Sequence, residues 1–165
     1  MEKHSKIIRE ILSQAKINVE NGYGPFLAAL YDETGNLISQ SSNSVIKDCC
    51  SNHHAEMNAI KLAEKKLGTY DLSKYNLSLY VTAEPCMMCL GAILWSGIKK
   101  VFYSVSTKDV EEITGFDEGI KPDWIKEFEN RGIEVCGEIE VEEGKKLLTD
   151  YVKEKREIYK PKREK

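Results

Sequence analysis

Apolar residues along this 165-residue chain recur at two spacings, and the switches between them lay out its elements. From Ser5 to Val19, residues Ile7, Ile8, Ile11, Leu12 and Ala15 share one side of a 3.6-residue period, which predicts a first helix. The turn formers Asn21-Gly22-Tyr23-Gly24-Pro25 end it. An apolar strand, Phe26 to Tyr31, the turn Asp32-Glu33-Thr34-Gly35-Asn36 and a second strand, Leu37 to Ser42, then read as a hairpin. A polar loop, Asn43 to His53, leads into the run His54 to Leu67, where Met57, Ile60, Ala63 and Leu67 return to helical spacing until Gly68 stops it. A strand over Leu77 to Thr82, a helix from Pro85 through Leu94 and a strand over Lys100 to Val105 come next. Ser106 to Ile120 reads as a loop with a short helical stretch near Val110, Pro122 to Glu129 as a helix, and Ile133 to Ile139 as a strand. A closing helix runs from Glu142 to about Ile158 with Leu147, Leu148, Tyr151 and Val152 on its apolar face.

Strands that alternate with helices form βαβ units, whose sheet is parallel and covered on both faces. A helix between Val105 and Ile133 lets the last strand cross over and lie parallel to its neighbour, where a short hairpin would force it antiparallel. The expected fold is a three-layer α/β/α arrangement around a five-stranded mixed sheet whose last two strands are parallel. The length suits a single domain over residues 1–165, able to bury about 70% of its unfolded surface. No apolar run approaches the roughly 20 residues of a membrane span, and Met1 to Glu10 lacks the apolar core of a signal peptide. Five Cys, an odd number, suit a reducing compartment, so the expected location is cytoplasmic. A net charge of −3 gives no general attraction to nucleic acid. Residues 153–165 form a basic tail, seven Lys or Arg against three Glu, of the kind that usually marks a solvated helix end.

The chemistry is concentrated in His54-Ala55-Glu56 and Pro85-Cys86-Met87-Met88-Cys89. One imidazole and two thiolates fill three of the four tetrahedral positions zinc prefers, and an open fourth position is what separates a catalytic zinc from a structural one. Residues three apart are neighbours on a helix, so Cys86 and Cys89 share a face, and the positive helix end favours their thiolates. His-x-Glu followed by Pro-Cys-x-x-Cys is the pattern of zinc deaminases, in which the Glu moves protons without binding the metal. Zinc lowers the pKa of a bound water to about 7, and Glu56 would carry a proton from that water to a ring nitrogen and then to the leaving amine. A redox Cys-x-x-Cys would leave His54-Ala55-Glu56 without a purpose. A structural zinc site would need a fourth ligand from Cys49, Cys50, Cys136, His4 or His53, none of which forms a second paired motif.

Gly24-Pro25-Phe26, Asn43, His54-Ala55-Glu56, the string from Glu84 to Ile93, Trp95, Val101-Phe102-Tyr103 and Gly115-Phe116-Asp117 together resemble the cytidine deaminase-like superfamily, most closely its bacterial guanine deaminases. The resemblance implies Zn2+ held by His54, Cys86 and Cys89, Glu56 as proton shuttle, and hydrolytic deamination of guanine to xanthine and ammonia. It further implies that Phe26, Asn43, Ala55, Asp117 and Tyr159 bind substrate, Asp117 as the carboxylate that reads the base. In the resembled fold the residue matching Tyr159 comes from a partner subunit, which implies a homodimer with an exchanged C-terminal helix. The Glu-Pro-Cys-x-x-Cys-x-Gly-Ala string also resembles tRNA adenosine deaminases, so that activity stays open, as does deamination of cytosine, a pterin or a triazine.

Overall fold

A computed structural model describes residues 2–161. Five strands, β1 (Leu27–Tyr31), β2 (Leu37–Ser42), β3 (Ser78–Ala83), β4 (Lys100–Val105) and β5 (Glu134–Cys136), form one sheet in the order β2-β1-β3-β4-β5. β1 is antiparallel to β2 and β3, whereas β3, β4 and β5 run parallel, as the crossover helices require. The helices are α1 (Glu2–Glu20), α2 (Val45–Asp48), α3 (Ala55–Leu67), α4 (Met87–Ser96), α5 (Thr107–Thr114), α6 (Trp124–Glu129) and α7 (Val141–Lys153).

Central strands covered on both faces should be apolar at every position and divide their side chains by parity. Ala28, Leu30, Leu79, Val81, Val101 and Tyr103 point to the face covered by α3, α4 and α6. Their neighbours Leu27, Ala29, Tyr80 and Phe102 pack on the other face against Ile7, Ile8, Ile11 and Leu12 of α1 and Leu147 of α7. The apolar stripe of the first helix and the parallel crossover of the last strand are therefore both realised.

Three boundaries depart from expectation for local reasons. β5 covers only three residues because the chain then passes the Tyr103 ring so closely that a Cβ on Gly137 would lie 1.9 Å from Tyr103 Cζ. α7 ends at Lys153, short of Ile158, because Lys155 takes a positive φ and the Tyr151 hydroxyl donates to the Glu157 carbonyl at 2.6 Å, turning the chain back. The stretch read as a loop after Val105 contains the full helix α5, capped by the Ser106 side chain, which accepts from the Asp109 N–H. Residues 162–165 of the basic tail lie outside the described residues.

Gly137 and Gly91 make a matched test. Gly137→Ala forces a methyl into the Tyr103 ring and should lower the unfolding free energy by about 1–3 kcal/mol. Gly91→Ala in α4, where a Cβ meets nothing within 4 Å, should raise it by about 0.5–1 kcal/mol. Urea unfolding of the two variants beside the parent measures both signs.

Candidate active site

The site forms where β3 and β4 end and α3 and α4 begin. His54 is the N-cap of α3 and Cys86 the N-cap of α4, both with extended backbone, and neither side chain caps its own helix. An N-cap side chain ordinarily accepts an N–H of the first turn, so these two are released for another partner. They turn toward each other. His54 Nδ1 lies 3.5 Å from Cys86 Sγ and 3.7 Å from Cys89 Sγ, and the two sulfurs are 3.7 Å apart. Tetrahedral zinc with ordinary bond lengths would set its N–S edges at about 3.6 Å and its S–S edge at about 3.8 Å. The three donors thus already stand as one face of a zinc tetrahedron, and they are the cluster of this kind among the described residues. Helix α4 starts at Met87, so Pro85 precedes the N-cap instead of opening the first turn, and the extended Cys86 gains its aim at His54 from that shift.

The electrostatics suit a cation. A hydrogen bond from Cys89, together with His54, draws the Cys86 thiol down to about 4 despite its burial. The bond to Cys86 and burial raise the Cys89 thiol, as expected when one sulfur of a close pair ionises first. Glu56, buried in the first turn of α3, lies against the Cys89 sulfur, and burial followed by the Cys86 charge raises its carboxyl pKa.

A cavity of about 530 Å³ opens beside these groups. Phe26, Asn43, His54, Glu56, Cys86, Phe116, Asp117, Glu118 and Tyr159 all line it. Ala55 does not line it; it is buried in the core between α3 and the sheet. The Asn43 Oδ1 accepts the Val45 N–H at 3.2 Å, which commits the oxygen and leaves the amide nitrogen as the donor. The Tyr159 hydroxyl is buried without a hydrogen-bond partner among the described residues. Gly24 makes room for it, because a Cβ there would sit 2.9 Å from that hydroxyl and 3.0 Å from the Asn43 Oδ1.

Tyr159 reaches this place within its own chain, by the turn after α7, whereas the expectation drew it from a partner through an exchanged helix. Its ring packs on Phe116 at 4.6 Å between centroids, and Phe116 in turn meets Phe26 edge-on at 5.4 Å. Asp117 stands exposed at the rim with its Oδ1 accepting the Gly119 N–H at 3.0 Å. The carboxyl turned inward is Glu118, which burial, with the charge of Cys86 adding, pushes up to about 7. Sequence reasoning missed it, although in an extended segment Phe116 and Glu118 share a side by alternation.

Fold and site define a zinc-dependent hydrolytic deaminase. Residues 1–105 match the family model described as the cytidine and deoxycytidylate deaminase zinc-binding region, and the chain belongs to that family. Guanine deaminase of Bacillus subtilis is 36% identical over 70% of this chain and 72% of its own length. The structure of guanine deaminase from Nitrosomonas europaea superposes with a TM-score of 0.84 at 38% identity, covering 87% of this chain and 81% of that one. The tRNA-specific adenosine deaminase of Buchnera aphidicola is 35% identical over 83% of this chain and 85% of its own. None of the described helices is long and apolar enough to cross a membrane.

Removing a donor should remove the metal. Elemental analysis should find one zinc per chain in the parent and less than about a tenth of that in Cys86→Ser, whose hydroxyl is a far poorer zinc ligand than a thiolate.

Proposed function

We propose that the protein deaminates free guanine to xanthine and ammonia. The observation that carries this reading is Glu118, a half-buried carboxyl on the cavity that His54 and Cys86 line. Guanine carries an N–H at N1, beside the C2 amino group, for which a carboxylate is the natural acceptor. Adenine and cytosine offer a lone pair at the corresponding ring nitrogen, and a buried acceptor facing a lone pair loses its partner. The Asn43 amide nitrogen donates to an acceptor on the purine, the Tyr159 hydroxyl supplies a further polar contact, and Phe26 and Phe116 cover the ring faces. Likeness to two guanine deaminases supports the same substrate.

His54, Cys86 and Cys89 would hold zinc, which when bound would supply a Lewis acid able to acidify water for attack on C2. Glu56 takes one proton of the attacking water on its carboxylate and hands it to N3 of the ring, then takes the proton left on that oxygen and delivers it to the C2 amino group as the C2–N bond breaks. Ammonia leaves and the water oxygen remains on C2. The segment Glu157 to Pro161 folds along the cavity and Lys160 ties it to the Gly115 carbonyl at 3.2 Å. Such a strap suits a small free base better than a nucleotide held within an RNA strand.

We also propose a homodimer. Trp95 at 89% exposure and Tyr70 at 84%, which line one surface cavity together with Ala92, give an exposed apolar face that a second copy would cover. This contact needs no exchanged helix. Five unpaired Cys, two of them metal donors, suit a cytoplasmic, reducing setting.

Zinc-loaded protein given guanine, adenine, cytosine and an anticodon-loop RNA hairpin should release ammonia fastest from guanine, with xanthine as the product. Faster turnover of the hairpin would overturn the reading in favour of RNA. Glu56→Gln should lower kcat by about 10²- to 10⁴-fold with zinc content unchanged, read by ammonia release and elemental analysis together. Glu118→Gln should raise KM for guanine by about 10- to 100-fold, the loss expected for a hydrogen bond to a charged acceptor.

A further inference from the structure

Glu84 lines the cavity, yet both its carboxylate oxygens are already engaged by protein. It stands between the end of β3 and Pro85-Cys86, where its own N–H donates to the Val105 carbonyl at 2.8 Å. Its Oε2 accepts the Thr107 N–H at 2.7 Å, at the first residue of α5. Its Oε1 accepts the Trp124 indole N–H at 2.7 Å, at the first residue of α6, and lies 3.4 Å from Lys121 Nζ. Lys121 also donates to the Thr107 hydroxyl, and both members of the ion pair are largely buried. Burial alone would raise the Glu84 pKa, but the Thr107 amide, the indole and Lys121 outweigh it and hold the group below the usual carboxylate range.

One carboxylate therefore grips the start of α5 and, through Lys121 and Trp124, the far end of the segment that joins α5 to α6. That segment pairs with no strand, and Glu118 sits on it, three residues before Lys121. At its α5 end it is held by the buried Phe116 N–H to the Thr114 hydroxyl at 3.0 Å and by Lys160 to the Gly115 carbonyl at 3.2 Å, whereas the bonds around Glu118 itself are exposed: the Glu118 N–H to Glu111 Oε1 at 3.3 Å and the Gly119 N–H to Asp117. We infer that Glu84 is a positioning residue that staples the base-reading loop to the metal-binding turn, so that the aim of Glu118 depends on the Glu84–Lys121 pair. This rests on the reading of Glu118 as the group that accepts the base N–H. Glu84 touches no reacting atom; with both oxygens satisfied it acts through the loop. The arrangement fixes the distance between the metal donors and the base-reading carboxyl, and an error of about 1 Å in such a distance can cost about a hundredfold in rate.

The test is a double-mutant cycle on the full-length zinc-loaded protein. Glu84→Gln and Lys121→Met are each combined with Glu118→Gln, and KM and kcat for guanine are measured with zinc content. Each staple variant should keep its zinc, raise KM roughly tenfold and lower kcat by a smaller factor; in the Glu118→Gln background each should add at most about twofold. Additive losses in the cycle would overturn the staple, as would zinc loss in both variants, which would make Glu84 a support of the metal site instead. If Glu118→Gln alone binds guanine as the parent does, the reading of Glu118 falls and the staple with it. Should Glu84→Gln fail to fold, Lys121→Met, which leaves Glu84 its two N–H donors, carries the cycle alone.

Discussion

Three side chains from two separate helix starts must place one nitrogen and two sulfurs within 3.7 Å of one another, and the rest of the site is arranged around that demand. Crowding two thiols beside an imidazole away from water is unfavourable without a cation, because the first thiolate to form raises its neighbour, as Cys86 does to Cys89. The fold answers with position. Parallel β3 and β4 bring the end of β3 and the start of α4 to the carboxyl-terminal ends of the central strands, and α3 packs beside α4 there. Both Cys86 and His54 fall at N-caps, where unpaired N–H groups and the helix dipole favour negative charge. A site at two helix starts can therefore hold thiolates that a site at two helix ends could not.

The remainder of the cavity is built from groups with spare hydrogen-bonding capacity. Asn43 spends its oxygen on Val45, Tyr159 spends nothing, and Gly24 is small so that both can approach. A buried polar atom left without a partner costs on the order of 1–3 kcal/mol, which a ligand bearing the complementary group returns. The aromatic contacts Phe26–Phe116 and Phe116–Tyr159 link the strap after α7 to the loop after α5. Base-reading carboxyl and strap therefore share one wall, and a shift in either is felt by the other.

The metal donors were legible because short local motifs fix them: Cys89 lies three positions after Cys86, and Glu56 is locked two residues beyond His54. The sheet was legible for a related reason, since β3 and β4 are each apolar at four of six positions and α1 keeps a clean stripe. What escaped depends on distant contacts or short range. α2 has four residues, too few for a period to appear. α5 did carry a signal, Ser106 and Asp109 in capping register, which its scarcity of apolar residues obscured. The end of α7 is set by a hydroxyl six residues before the carbonyl it captures, and β5 is cut short by a ring on another strand. The resemblance pointed to Asp117, and that Glu118 is instead the less exposed of the two depends on how one loop is oriented after α5, which residues distant in sequence, Glu84 among them, help to hold.

These two kinds of legibility coincide with two halves of the site. The metal half rests on helix starts rooted in the sheet, so its geometry is set by the core and changes only with the fold. The other half of the cavity wall rests on the loop of Glu118 and on the strap of Tyr159, which are held by a few hydrogen bonds and aromatic contacts. Loops tolerate substitution far better than the elements they join, so a new ring can be accommodated there with the zinc chemistry untouched. Relatives named for guanine and for tRNA adenosine at nearly equal identity to this chain are what such a division would produce. Discrimination among substrates in this fold is then a matter of which acceptor or donor the loop turns inward, and in this chain the group turned inward is a carboxyl.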